Sequence, residues 1–243
     1  AVNAKQATDF SRKVFVRLYR LLYGAEIVAA GDSFFLLQRA DGTQTGVFFD
    51  PSTELLSSWK LGSLPPGEYG AYSWAFNPED SYRPLIREHP LVLRGVDYAP
   101  ESVFLFSPDG LARLSRKGKW RTGYPKRSLQ ELMVLAGVVH EMRHERQAWD
   151  EVSPLCWKKW RRGLQVSASY PPFNTSHAAL TLSHRNLVKS YRRYRSIPQL
   201  HRFLLRTEED TYLVQFRVMT KIAYAWIHNR KLALKQTVKI LKN

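Results

Sequence analysis

The stretch best suited to chemistry by residue type and spacing is His140-Glu141-Met142-Arg143-His144. It reads H-E-x-x-H and follows the apolar run Leu132 to Val139, a context that predicts a helix. Two histidines four residues apart share one helix face, and both imidazoles can bind a single Zn²⁺ there. Glu141 can then take a proton from a water acidified by the ion. Such a site needs a third ligand. The chain has no G-x-x-x-x-G-K-[ST], no G-x-G-x-x-G and no G-x-S-x-G. Cys156 is the lone cysteine, so an internal disulfide and a cysteine-based zinc site are both excluded. Lys158 and Lys159 beside it could lower its pKa, but no His is near in sequence, and a packed, inert thiol is expected.

Over those five residues the chain resembles the zincin metalloproteases. The resemblance implies zinc on His140 and His144, with Glu141 as base. Arg143 and Glu145 depart from it, since zincins usually carry an uncharged and an apolar residue there. In the metzincin extension the position six beyond the second His is His or Asp, and Asp150 stands there. Gln147, however, replaces the Gly that turns the chain back toward the metal. For a thermolysin-like distant glutamate, no acid lies between Glu151 and Glu208. The expectation is therefore a helix making ordinary surface and i,i+4 contacts, with no catalytic residue, metal or cofactor.

Charge gives a broader signal. The 243 residues carry a net charge of +16. Of 37 Lys and Arg, 18 lie from Ser153 onward, with only three of the 21 acids, so the last 91 residues hold +15 and the first 152 hold +1. That asymmetry predicts an anionic partner. Three stretches interleave cations with aromatics. The first holds Lys117, Lys119, Trp120, Arg121, Lys126 and Arg127; the second Lys158, Lys159, Arg161 and Arg162; the third Lys189, Arg192, Arg193 and Arg195, with Arg185 one turn before Lys189. Guanidinium forks suit phosphate, and neighbouring Trp and Tyr can stack on bases. Arg217, Lys221, His228, Lys231, Lys235, Lys239 and Lys242 follow at steps of 4, 7, 3, 4, 4 and 3, within one arc of a helix. No acid relieves them after Asp210.

The elements that would carry these residues divide into two parts. Residues 1–126 are nearly neutral and mixed. A helix from Thr8 to Tyr23 ends at Gly24, with Phe10, Val14, Leu18, Leu21 and Leu22 on one face. Ser33–Arg39 and Gln44–Phe49 flank Asp41-Gly42 and predict a hairpin. Tyr69–Phe76 reads as a strand, and Ser102–Phe106 meets Leu111–Leu114 across Ser107-Pro108-Asp109-Gly110 as a second hairpin. Phe34, Phe35, Phe48, Phe49, Tyr69, Tyr72, Trp74 and Phe76 form either a base-stacking platform or the two faces of ordinary strands.

Residues 127–243 read as helical and basic. Ser128-Leu129-Gln130-Glu131 is a capping box opening a helix to near Trp149. A helix from Ser176 to Arg195 and a short one from Pro198 to Arg206 precede a long terminal helix, opened by Thr207 with Glu208, Glu209 and Asp210 in its first turn.

The fold expected is α+β: an N-terminal helix with a small antiparallel sheet, then a basic helical part with a long last helix. The function expected is a non-catalytic structural subunit of a large ribonucleoprotein, namely an organellar (mitochondrial) ribosome. It would meet rRNA phosphates through the basic helices and neighbouring proteins through the neutral part. The start on Ala1 fits a mature organelle protein or a trimmed chain; otherwise the location is cytoplasmic. An accessory subunit lying on anionic lipid and a zinc hydrolase using His140, Glu141 and His144 are the alternatives. No transmembrane segment and no signal peptide are expected, since the longest apolar run is too short to span a bilayer.

Overall fold

The computed structural model describes residues 2–50, 53–59, 61, 64, 67–73, 83–117, 123–147 and 198–243. The chain is an α+β protein. Helix α1 (Ala4–Tyr23) starts four residues earlier than its apolar pattern suggests, because Asn3 and Gln6 form a reciprocal capping box. Gly24 ends it in the left-handed conformation (φ 60°), as expected of a glycine one residue past a helix. Its buried face is Ala7, Ser11, Val14, Phe15, Leu18 and Tyr19, while Leu21 points outward.

Five strands make one sheet, in the order β1 (Glu26–Ala30), β2 (Phe34–Gln38), β3 (Gln44–Phe48), β7 (Ser102–Phe106), β4 (Gly70–Ser73). The Asp41-Gly42 hairpin joins β2 to β3 as expected. Only the β3–β7 pairing is parallel. Between β3 and β7 the chain also forms two short helices, α2 (Glu54–Ser58) and α3 (Arg83–Glu88). A separate hairpin, β5 (Leu91–Leu93) with β6 (Val96–Tyr98), turns at Arg94 and Gly95, both at positive φ.

Alternate residues of the sheet face opposite ways, which decides the fate of the paired aromatics. Phe35, Phe49, Phe104 and Phe106 enter the main core with the helices. Phe48, Val103 and Leu105 enter a smaller core with Leu56, Trp59 and Ile86 on the other face. Phe35, Phe48 and Phe49 are therefore buried packing rather than a stacking platform. The side chains of Tyr72, Trp74 and Phe76 lie outside the described residues.

The second hairpin is not formed. After β7 comes helix α4 (Pro108–Arg116), capped by Ser107 with Pro108 in its first turn. Ser-Pro-Asp-Gly serves a turn or a helix start equally well, and here the apolar spacing beyond it is helical. Helix α5 (Lys126–Arg146) begins before Ser128, at Pro125, so the expected capping box sits inside it and Glu131 pairs instead with Arg127 and Arg230.

Helix α6 (Pro198–Lys221) runs straight through Thr207, since nothing between Gln199 and Arg206 disfavours a helix. The terminal helix is not one piece. Beyond α6 lie α7 (Ala223–His228) and α8 (Arg230–Lys242), separated at Asn229 (φ −149°, ψ 87°), whose side chain caps α8 by accepting from Leu232 N–H. One core joins α1, the sheet and α4 to α5, α6, α7 and α8. The expected helix 176–195 lies outside the described residues. Among those described, no helix is long and apolar enough to cross a membrane.

Candidate metal centre

Helix α5 is buried along most of its length, wedged among the sheet, α1, α4 and α6. Gly137 permits the close approach of α4, since a Cβ there would lie 2.5 Å from Leu114 Cδ2. At the far end of this helix, His140 and His144 are 4% and 8% exposed, far from the surface role expected for them. Both turn Nε2 toward one residue of α6, Glu208. His140 Nε2 is 3.4 Å from Glu208 Oε2, and His144 Nε2 is 3.2 Å from Glu208 Oε1. Glu208 thus stands where a third ligand would, a place for which the sequence offered no residue. It reads locally as a first-turn acid, but it lies nearly three turns inside a longer helix, where it faces α5.

The arrangement fits a metal ion. Two bonds of ~2 Å at a tetrahedral angle place ligand atoms about 3.3 Å apart, which is the spacing of both His–Glu pairs. One ligand atom from each of the three residues lies within 4.8 Å of the others. The remaining imidazole nitrogens are also engaged: His140 Nδ1 faces Gln215 Oε1 at 3.0 Å, and His144 Nδ1 faces Gln147 Oε1 at 3.1 Å. An amide oxygen can only accept, so each Nδ1 donates to it, and Nε2 is the atom that each ring turns to Glu208.

Charges around the centre are strongly coupled. Burial alone would lower the His144 pKa, but the Glu208 carboxylate beside it raises it to about 9. Burial favours a neutral Glu208, yet His144 and His140 hold its carboxyl well below the usual range. Glu141 is buried, and desolvation raises its pKa despite the two histidines. A Cβ on Gly70 would lie 3.3 Å from Glu141 Cγ, so Glu141 sits against strand β4. Tyr69 and Tyr212 pack edge-on to His140, with ring centres 6.2 and 4.7 Å away. Burial lifts the Tyr212 hydroxyl to about 12, with Glu208 and Glu141 adding to it, so it stays a proton donor.

Two buried networks hold the end of α5. Glu145 takes an ion pair from Arg39 (2.7 Å) and hydrogen bonds from Ser102 (3.0 Å) and Tyr19. Arg143 donates to both oxygens of Asp210 at 2.6 and 3.3 Å and to the Leu241 carbonyl at 2.7 Å. The charges that broke the zincin pattern are therefore both internal and paired.

The residues expected to meet RNA are less gathered. Lys117, Lys126, Lys221, Lys231, Lys235 and Lys239 are exposed and Arg217 is half-buried. Exposed Arg127 pairs with Glu131. The stripe from Arg217 to Lys242 is divided among α6, α7 and α8 rather than carried by one helix. Lys119, Trp120, Arg121, Lys158, Lys159, Arg161, Arg162, Arg185, Lys189, Arg192, Arg193 and Arg195 lie outside the described residues, as does Cys156. Sequence reasoning named His140, Glu141 and His144 but missed Glu208, Asp210, Gln147, Gln215, Tyr69 and Tyr212. The missed signal was that Glu208 begins the only acidic group after Glu151. No known protein family, curated protein or solved structure matches the chain.

Proposed function

We propose that the chain is a zinc-dependent hydrolase in which His140, His144 and Glu208 hold the ion. The observation that carries this is the convergence of two imidazole Nε2 atoms on one carboxylate, 3.4 and 3.2 Å away, inside a buried H-E-x-x-H helix. Zinc bound there would supply a Lewis acid and a water ionised near neutral pH. Glu141, raised by desolvation, is suited to take and return a proton. The Tyr212 hydroxyl keeps its hydrogen and can donate to a developing oxyanion.

The substrate class is an extended peptide. Strand β4 is the sheet edge, paired with β7 on one side and with no strand on the other among the described residues. It begins beside Glu141. A peptide added along that edge would satisfy its own backbone and bring one carbonyl to the centre.

The test is metal content and cleavage of a fluorescence-quenched peptide library. The purified chain should hold about one zinc, lost in His140→Ala, His144→Ala and Glu208→Ala. Glu141→Gln should keep the zinc and lose ~10²–10⁴ of the rate. A chain that stays metal-free in zinc, or binds it equally well without His144, sinks the reading.

A second reading, polyanion binding, is favoured by α8, where Lys231, Lys235, Lys239 and Lys242 are all exposed. It would place the chain on RNA phosphates, as in a ribonucleoprotein of mitochondria. Sedimentation with and without RNase tests it, and a slow, RNase-insensitive peak removes it.

A further inference from the structure

The geometry points to Asp210 as a positioning residue that sets metal affinity at His144 without touching it. The inference rests on the zinc reading above and concerns how that site is tuned.

Gln147 stands between the two. Its Nε2 donates to Asp210 Oδ2 at 2.7 Å, and its Oε1 faces His144 Nδ1 at 3.1 Å. A primary amide has a donor end and an acceptor end that differ little in shape, so it can flip unless something fixes it. Asp210 accepts only, so the NH₂ end of Gln147 is drawn to it and the oxygen is turned to His144. The hydrogen of a neutral imidazole then resides on Nδ1, and the Nε2 lone pair is free for an ion. Were the amide reversed, its NH₂ would face Nδ1 and favour the tautomer with hydrogen on Nε2, which cannot ligate. Asp210 is itself fixed by Arg143, which grips both its oxygens, and a further Arg143 donor holds the Leu241 carbonyl of α8. Arg143, Asp210 and Gln147 are 2%, 7% and 0% exposed, so water does not compete for these bonds. The orientation of one ligand is thereby linked to the docking of the C-terminal helix.

Zinc dissociation constants of the full chain, measured by competition with a chromophoric chelator at a temperature where each variant is folded, decide the matter. Gln147→Leu and Asp210→Asn should each weaken binding ~10–100-fold. Gln147→Met, which keeps the length of the side chain but neither end of the amide, should weaken binding to the same degree. Leu18→Ala, a core truncation away from the link, should lower the melting temperature and leave the dissociation constant alone. If Asp210→Asn does not fold, Gln147→Leu and Gln147→Met still carry the test. Wild-type affinity in either folded Gln147 variant overturns the inference and leaves the zinc site standing. A wild-type chain without His144-dependent zinc removes both.

Discussion

His144 and Glu208 form a buried pair, and the pair has a pH signature. The His144 pKa is raised from 6.5 to about 9 because Glu208 outweighs the effect of burial. A group whose folded pKa lies above its unfolded value stabilises the fold while it is protonated in both states. That contribution is complete below about 6.5 and is lost as pH rises through about 9. The melting temperature of chelator-treated protein should therefore decline between those limits, and His144→Gln should flatten the decline. An unchanged slope in His144→Gln would place the titration elsewhere. At this scale the sequence was half legible. H-E-x-x-H is visible because its partners are four residues apart on one helix. Glu208 is 64 residues beyond His144, and only the packing of α6 against α5 brings it near.

The elements show the same division between local and distant information. The α1 stop at Gly24 and the Asp41-Gly42 hairpin are set by local backbone chemistry, and both form where expected. Ser107-Pro108-Asp109-Gly110 is local too, but two structures share its chemistry, and packing chose the helix. Gly110 shows why: a Cβ there would lie 2.4 Å from the Glu68 carbonyl oxygen, so α4 touches the backbone that leads into β4. Gly110→Ala should cost about 1–3 kcal/mol in denaturant unfolding, since backbone rather than a side-chain tip must move. A larger loss is expected where α5 meets the sheet. Arg39 is the cation of the buried Glu145 pair, and its guanidinium also lies 3.8 Å from the centre of the Tyr23 ring. Arg39→Ala takes that cation away from a buried carboxylate and should cost about 3–5 kcal/mol. An Arg39→Ala loss below ~1 kcal/mol would mean that Ser102 and Tyr19 suffice to hold that end of α5.

For the whole molecule the question is whether the charge asymmetry and the buried centre serve one task. They occupy different places: the centre lies between α5 and α6, whereas the lysines of α8 stand exposed. Exposed lysines contribute little to stability, and each that contacts phosphate adds to the salt dependence of binding. Lys231→Glu, Lys235→Glu and Lys239→Glu together should leave zinc content unchanged and shift stability by no more than about 0.5 kcal/mol per site. If α8 is the anion-binding surface, the slope of log affinity for single-stranded RNA against log salt should fall by about 0.7 for each lost contact. A flattened slope with intact zinc and intact peptide cleavage would make α8 a tether that brings the hydrolytic centre to a polyanion. A flattened slope accompanied by loss of zinc would point back to Arg143, whose hold on Leu241 ties α8 to the helix that carries His140 and His144. An unchanged slope would clear α8 of RNA contact. Anionic vesicles would then be the next probe for the lysine face, and the hydrolytic reading would stand without an RNA partner.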